Sequence, residues 1–307
     1  MTRFPLGVWP TPLHPLPRLS EALDCPPIFV KRDDLSGFVL SGNKARPLEY
    51  LVGAALAAGA DTLVTGGRTS SNFCAAAAAA AAVAGLDCHL VLAADPFSLV
   101  PLALAFGAVV RSTTLSGSGI DREIEAVAGK FRAAYPIPRG GSTPVGAQGF
   151  AAAAHELDVQ LRERGVEPSA VVCAVGSGGS YAGLLSGAAE LGWPWPVVGA
   201  SVSRPLEEMR AALASLGAPL VGTPLFGAET VRLVDCVGPG HGLIDSAHRE
   251  LMVLAARTAG LLLDPTYTAK ALQLAVAVAR RSGGPVVFWH TGGTPAALAT
   301  LMEGTSR

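Results

Sequence analysis

The sequence predicts an α/β fold in which helices cover both faces of mostly parallel sheets. Short apolar runs alternate with longer helical patterns along most of the 307 residues, as in parallel strands that are joined by helices. The run at 170–175, Ala-Val-Val-Cys-Ala-Val, is apolar throughout, which is typical of a strand buried on both faces. Glycine (36 residues) and proline (23 residues) are plentiful and suit many short connections between such elements.

The N-terminal part is rich in proline, and residues 1–27 are predicted to form an extended arm with little structure of its own. A strand at 28–32 and a turn at 33–37 follow. A helix is predicted at 47–58, because Pro47 suits its first turn and Gly59 its end.

Strands and helices are then predicted in alternation. Further strands are expected at 62–65, 88–92, 108–111, 170–175, 197–202 and 286–289. A helix is expected from a cap at 70–72 to residue 84, and others at 96–106, 120–134, 147–164, 181–191, 205–216, 246–260 and 266–282. No internal repeat or disordered linker interrupts this order.

Composition and charge exclude several classes of function. The net charge is −1, with scattered basic residues, so we expect neither a nucleic-acid partner nor an anionic membrane partner. The alanine run at 75–84 is too short and too weakly apolar to span a bilayer, and the first residues lack the apolar core of a signal peptide. The five cysteines show no metal-binding spacing, which predicts a reduced cytoplasmic protein without a metal site.

Lys44 is the candidate catalytic residue. It follows the turn Ser41-Gly42-Asn43 and immediately precedes a predicted helix. The positive end of a helix dipole favours the neutral form of a lysine amine. A neutral amine attacks aldehydes, so Lys44 is a candidate for a Schiff base with pyridoxal phosphate. A solvated surface lysine is the alternative that this stretch alone leaves open.

A glycine-rich turn, Gly176-Ser177-Gly178-Gly179-Ser180, lies between a predicted buried strand and a helix. Successive backbone N–H groups at a helix N-terminus bind anions, and the two serine hydroxyls add donors. The turn lacks both the Lys-Ser/Thr of a P-loop and the third glycine of a dinucleotide-binding turn. It therefore favours a phosphate over a dinucleotide, although an ordinary strand–helix turn remains the alternative.

Two further stretches carry candidate polar side chains. Asn72 could hold a phenolate-like oxygen and Ser71 could relay a proton, or both could simply cap a helix. Tyr267 could stack on a flat cofactor and Thr268 could meet a ring nitrogen, or both could belong to an ordinary helix start. Thr291 follows the last strand, where ligands of open α/β sheets bind.

In this order, the stretches resemble the pyridoxal-phosphate-dependent family of D-cysteine desulfhydrase and 1-aminocyclopropane-1-carboxylate (ACC) deaminase, within the tryptophan-synthase-β-like, fold type II enzymes. The resemblance covers nearly the whole chain, and its marks are Lys31–Asp34, Ser41–Lys44, Ser71-Asn72, Arg139–Gly146, Gly176–Leu184, Gly238–Gly242, Asp264–Lys270 and His290–Gly293. It implies a homodimer and two three-layer α/β/α domains. The larger, cofactor-binding domain would comprise 1–46 and 146–307, and the smaller 47–145.

The resemblance also implies a role for each site residue. Lys44 would carry the cofactor, Ser177, Gly178, Gly179 and Ser180 would hold its phosphate, and Asn72 would face its 3-hydroxyl. Tyr267 would lie by the ring, Thr268 would meet the pyridine nitrogen, and Thr291 is a further cofactor contact. Ser71 would sit beside the substrate, together with Asn72, Phe73 and His241.

Departures from the family pattern concern the substrate more than the cofactor. Phe73 stands where relatives carry histidine or glutamine, and His241 where they often carry tyrosine. Thr268 replaces the glutamate of ACC deaminases, Pro47 a common lysine, and Ala269 a common glycine.

The predicted function is that of a pyridoxal-phosphate-dependent lyase. A threonine at the ring nitrogen, unlike a carboxylate, does not fix a proton there, which favours β-elimination from a small amino acid to give a 2-oxo acid, ammonia and a leaving group. ACC ring opening and β-replacement on an aminoacrylate intermediate in specialised metabolism are alternatives. A non-catalytic cofactor-binding protein and a nucleotide-binding regulator are alternatives of other classes.

Overall fold

The structure, a computed structural model, describes residues 2–221, 230–240 and 242–304. The predicted substrate contact His241 lies outside the described residues. The chain forms two compact units, Met1–Gly7 with Lys44–Gly149 and Val8–Asn43 with Phe150–Arg307. The domain boundaries inferred from the resemblance stay a prediction.

The elements follow one another in the expected strand–helix alternation. The strands are β1 (Leu13–Pro15), β2 (Ile28–Arg32), β3 (Thr62–Arg68), β4 (Asp87–Ala93), β5 (Val109–Thr113), β6 (Ala134–Pro136), β7 (Ala170–Val175), β8 (Val197–Ser201), β9 (Arg232–Asp235) and β10 (Val286–His290). The helices are α1 (Pro17–Ala22), α2 (Ala45–Ala57), α3 (Asn72–Ala84), α4 (Val100–Ala105), α5 (Ser118–Ala128), α6 (Pro144–Arg164), α7 (Gly179–Glu190), α8 (Leu206–Val221), α9 (Ser246–Ala259), α10 (Thr268–Ser282) and α11 (Thr294–Gly304). None of the helices in the described part of the chain is long and apolar enough to cross a membrane.

The first unit contains a parallel sheet in the order β5-β4-β3-β6, with helices on both faces. Successive residues of a strand point to opposite faces, which two glycines of β3 make visible. A side chain at Gly66 would meet Ile120 and Ile124 of α5, whereas one at Gly67 would meet Ser71 and Cys74 near the start of α3. Helices α5 and α3 therefore cover opposite faces of this sheet.

The second unit contains a sheet in the order β1-β2-β10-β7-β8-β9, in which only the β1–β2 pair is antiparallel among the described strands. Val172 and Ala174 pack in one core with residues of α1, α9 and α10. Val171 and Cys173 pack in another with residues of α6, α7 and α8. Strand β7 is thus buried on both faces, and the predicted α/β fold with mostly parallel sheets is confirmed.

The prediction that residues 1–27 form an extended arm with little structure of its own is wrong for residues 13–22. Residues Leu13–Pro15 form β1, which pairs with β2, and Pro17 starts α1. The prolines are compatible with both elements, because an edge strand tolerates a missing N–H and the first helical position needs none.

The predicted helix at 120–134 is also wrong at its C-terminal end. Helix α5 ends at Ala128, and Ala134 already belongs to β6, which pairs with β3 from Thr62 to Val64. Strand β9 and helix α11 were not predicted. Pairing with a distant strand decides whether segments as short as β6 and β9 become strands, and helical periodicity does not report that pairing.

Candidate active site

The glycine-rich turn joins the carboxyl end of β7 to the start of α7. Gly178 is the N-cap of α7 with φ of 103°, a conformation that favours glycine, and it has no side chain to cap the helix. The first N–H groups of a helix carry its positive partial charge and suit an anion. The Ser203 hydroxyl donates to the Gly176 carbonyl over 2.8 Å and holds the turn from outside.

The turn before Lys44 is bound to this loop. The side-chain amide of Asn43 donates to Ser180 Oγ over 3.1 Å, and its backbone N–H donates to the Thr291 carbonyl over 3.0 Å. Gly42, with φ of 56°, packs so closely that a Cβ there would lie 2.3 Å from the Thr291 oxygen. Lys44 directly follows Asn43, which is bound both to the glycine-rich turn and to the turn after β10.

Lys44 differs from the other three lysines, which are Lys31, Lys130 and Lys270. Lys31 is buried in an ion pair with Glu156, and Lys270 is buried against two backbone carbonyls. Lys130 is exposed after the end of α5. Lys44 is half-buried at the N-cap of α2, where the helix dipole favours a neutral amine. These surroundings support Lys44 as the candidate.

A buried carboxylate organises the start of α10. Asp264 accepts the backbone N–H groups of Thr266, Tyr267 and Thr268 at 2.9 Å each and the Thr268 hydroxyl at 2.7 Å. Burial raises the pKa of Asp264, while these hydrogen bonds act in the opposite direction. A Cβ at Gly176 would lie 2.9 Å from Tyr267 Cε1, so the tyrosine ring lies against the glycine-rich turn.

The two candidate threonines have different surroundings. Thr268 is fully buried, and its hydroxyl accepts the Asp264 N–H over 2.6 Å while donating its proton to the Asp264 carboxylate. Thr291 is half-buried directly after β10. A hydroxyl has a single proton, so Thr268 would meet a ring nitrogen only as an acceptor, whereas the described contacts leave Thr291 able to donate.

His290 supports the turn that contains Thr291. It is fully buried, and its Nδ1 accepts the Gly292 N–H over 3.2 Å, which assigns the ring proton to Nε2. Burial lowers the pKa of His290, and although the Asp34 carboxylate lies 3.7 Å from Nδ1, its opposing effect is smaller. The neutral ring therefore holds this turn in place.

The first unit places Ser71 and Asn72 together at the carboxyl end of β3. Ser71 is the N-cap of α3 and its Oγ accepts the Cys74 N–H over 3.2 Å, while Asn72 is the first helical residue. Both residues are half-buried. Capping occupies an acceptor site of Ser71, and its hydroxyl proton can still be directed to another group.

Phe73 is 2% exposed, whereas Ser71 and Asn72 are half-buried. A Cβ at Gly141 would lie 2.5 Å from its ring, so Phe73 packs directly beneath this glycine, whose φ is 66°. The predicted substrate contact is therefore also a packing contact within the first unit.

The residues that hold the Ser71 turn were not predicted from the sequence. Ser70 donates to the Asp95 carboxylate, and Thr69 Oγ1 accepts the Asp95 N–H over 2.9 Å. Arg68 lies 3.3 Å from the same carboxylate. Asp95 follows β4, and the rule that parallel strands end at one edge is the signal that could have linked it to Ser70.

Comparisons with known proteins identify the family of the chain. The family model of pyridoxal-phosphate dependent enzymes matches residues 4–292. The chain is 36% identical over 310 residues to a Pyrococcus abyssi protein named "Putative 1-aminocyclopropane-1-carboxylate deaminase", covering 96% of this chain and 93% of the relative. It is also 36% identical over 324 residues to D-cysteine desulfhydrase of Salmonella typhi, covering 97% of both chains.

A solved structure is similar over the whole fold. The crystal structure of an ACC deaminase homologue superposes with a TM-score of 0.90 at 32% identity, covering 99% of this chain and 96% of the other. The chain therefore belongs to the pyridoxal-phosphate-dependent enzymes of fold type II, in the group of ACC deaminase and D-cysteine desulfhydrase.

Proposed function

We propose that the protein catalyses β-elimination from a small amino acid, as a D-cysteine desulfhydrase does, with Lys44 as the lysine that carries the cofactor. The observation that carries the proposal is the hydrogen bond between Asn43 and Ser180, because it ties the turn before Lys44 to the anion-binding loop. An aldehyde and a phosphate on one small cofactor require a lysine and an anion site near each other.

The residues of the second unit fit pyridoxal phosphate. The start of α7, with Ser177, Gly178, Gly179 and Ser180, would hold the phosphate through N–H groups and hydroxyls. Tyr267 would flank the ring, since it already lies against Gly176. Thr268 stays a predicted contact of the pyridine nitrogen, and Thr291 is the hydroxyl whose proton the described contacts leave available.

Proton transfer falls to the amine of Lys44 and the hydroxyl of Ser71. Bound pyridoxal phosphate withdraws electrons from the substrate α-carbon, which eases loss of a proton there and of a leaving group from the β-carbon. The Lys44 amine, whose neutral form the start of α2 favours, would then accept that α-proton. Asn72 would contact the 3-hydroxyl of the cofactor, and Phe73 and His241 stay predicted substrate contacts.

The identity of the lysine can be tested by borohydride reduction and peptide mass mapping. Reduction joins the cofactor to the amine that carries it, and only four lysines compete. We expect the label on Lys44 in the wild type, its loss in Lys44→Ala and its retention in the exposed control Lys130→Ala. A label on Lys31, Lys130 or Lys270 would contradict the assignment.

The reaction can be tested with a substrate panel of D-cysteine, L-cysteine, β-chloro-D-alanine and ACC. We expect hydrogen sulfide, ammonia and pyruvate from D-cysteine, and no product with Lys44→Ala. Absence of a 2-oxo acid from every β-substituted amino acid would overturn β-elimination even if the cofactor label on Lys44 is found.

ACC ring opening is the second candidate, favoured by the 36% identity to the Pyrococcus abyssi relative. Formation of 2-oxobutyrate from ACC at a rate above that of pyruvate from D-cysteine would identify ACC ring opening as the main reaction.

The expected homodimer stays a prediction.

A further inference from the structure

Lys270 is a buried lysine that the proposed chemistry does not use. It lies in the first turn of α10, shortly after Tyr267, and is only 1% exposed. Its Nζ donates to the carbonyls of Val237 over 2.5 Å and Gly240 over 2.9 Å. Among the described residues it forms no ion pair, so this ammonium is bound by backbone carbonyls.

The segment that supplies these carbonyls has a backbone suited to glycine. It follows β9, with Gly238 at φ of 58° and Gly240 at φ of 146°. The Gly240 N–H donates to the Val237 carbonyl over 3.2 Å, which closes the turn that presents both oxygens to Lys270. Two carbonyls directed at one point repel each other unless a cation or donor lies between them.

The same turn leads to the residues proposed to flank the cofactor. A Cβ at Gly242 would lie 3.6 Å from Thr266 Oγ1, so the chain after the turn packs against the start of α10. Thr266 directly precedes Tyr267, and the Tyr267 N–H donates to the Asp264 carboxylate over 2.9 Å. Lys270 therefore connects the Val237–Gly240 turn to the helix start that positions the Tyr267 ring against Gly176.

We infer that Lys270 is a positioning residue: its tethered ammonium holds the Val237–Gly240 turn against the Thr266–Tyr267 segment and so keeps Tyr267 in place for the cofactor. The inference rests on the proposed function for its link to the cofactor. The link between Lys270 and the turn stands on the hydrogen bonds alone.

Burial lowers the pKa of Lys270, whereas Cys236, Asp245, Asp264 and Asp235 act in the opposite direction. These neighbouring groups thus offset part of the effect of burial on the pKa of Lys270.

Chemical rescue of Lys270→Ala is the decisive experiment, with Lys130→Ala as the matched control on an exposed lysine. We expect weaker pyridoxal phosphate binding, a kcat/KM about tenfold lower through misplacement of Tyr267, and faster deuterium exchange in the peptide covering 237–240. Ammonium chloride should restore all three, because free ammonium can occupy the vacated site between the carbonyls. Tetramethylammonium chloride at equal ionic strength should not, since it has no N–H to donate.

The readouts separate failure of this inference from failure of the proposed function. If no substrate is turned over, deuterium exchange and cofactor binding still report on the turn. Unchanged exchange at 237–240 in Lys270→Ala, or equal recovery with both salts, would overturn the inference.

A wild-type measurement covers the case in which Lys270→Ala does not fold. Acetic anhydride should modify Lys130 rapidly and leave Lys270 unmodified in the folded protein. Reaction of Lys270 as fast as that of Lys130 would show that its amine is accessible and would overturn the inference.

Discussion

At the scale of single residues, buried polar groups decide which side chains remain available for chemistry. Asp264 accepts a hydrogen bond from the Thr268 hydroxyl, and His290 accepts one from the Gly292 N–H, so both support backbone close to the candidate site. Thr291, which directly follows His290, is only half-buried, and so is Lys44. A residue name alone does not distinguish an anchored hydroxyl from an available one.

Replacing the two threonines should separate their roles. Thr291→Val should change the visible spectrum and affinity of bound pyridoxal phosphate while leaving the stability of the cofactor-free protein nearly unchanged. Thr268→Val should lower the free energy of unfolding by about 1–3 kcal/mol, because the Asp264 N–H and carboxylate lose a buried partner. Urea unfolding and cofactor titration measure both quantities. A spectral change in Thr268→Val would support its predicted contact with the pyridine nitrogen, and an unchanged spectrum in Thr291→Val would refute the predicted cofactor contact of Thr291.

His290 should make stability depend on pH. Burial holds the folded-state pKa of His290 below its ordinary 6.5, so the unfolded chain binds a proton first as the pH falls. The free energy of unfolding should therefore decrease as the pH drops below about 6.5, by at most about 1.4 kcal/mol per pH unit from this residue. Urea unfolding between about pH 5 and about pH 8 should show a weaker pH dependence of the free energy of unfolding for His290→Asn than for the wild type. An equal pH dependence of stability in the two proteins would refute a lowered pKa of His290 in the folded state.

At the scale of elements, glycines allow the close approaches that bring loops together. Gly42 permits the turn before Lys44 to touch the turn after β10, and Gly176 makes room for the Tyr267 ring. Gly141 does the same for Phe73 in the first unit. The sequence shows glycine-rich turns, but the atom that excludes a side chain becomes visible only in three dimensions.

Gly42→Ala should lower the free energy of unfolding by about 2–4 kcal/mol, because a left-handed backbone and a collision with the Thr291 carbonyl add together. Gly283→Ala is the matched control in the same unit, since Gly283 has φ of 70° with no atom within 4 Å of its Cβ position. The control should lose only the backbone part, about 1 kcal/mol. Urea unfolding of both variants checks this, and equal losses would show that the Thr291 contact is not restrictive.

At the scale of the whole molecule, long-range polar contacts join segments that are far apart in the chain. The Lys31 ammonium donates to the Thr11 carbonyl over 2.7 Å and to Gln160 Oε1 over 2.6 Å, and it forms an ion pair with Glu156. These contacts fasten the segment around Thr11, which was predicted to belong to an extended arm with little structure of its own, to α6 within the second unit.

Lys31→Met should cost about 3–5 kcal/mol of unfolding free energy, because it leaves Glu156 and Gln160 without their buried partner. Lys130→Met removes an exposed lysine and should change the free energy of unfolding by no more than about 0.5 kcal/mol. Thermal or urea unfolding compares them. A loss in Lys31→Met as small as in the control would show that the buried pair contributes no net stability.

Local patterns in the sequence predict the α/β order, the doubly buried strand β7, the helix capped at residues 70–72 and the candidate pair of Lys44 and the glycine-rich turn. These features are local, since apolar periodicity, helix caps and turn glycines act within a few residues. Three features become visible only in the folded chain: residues 13–15 form a strand, Asn43 donates to Ser180 across 137 positions, and Asp264 accepts the Thr268 hydroxyl. Such pairings depend on which distant backbone lies alongside, and no local pattern carries that information.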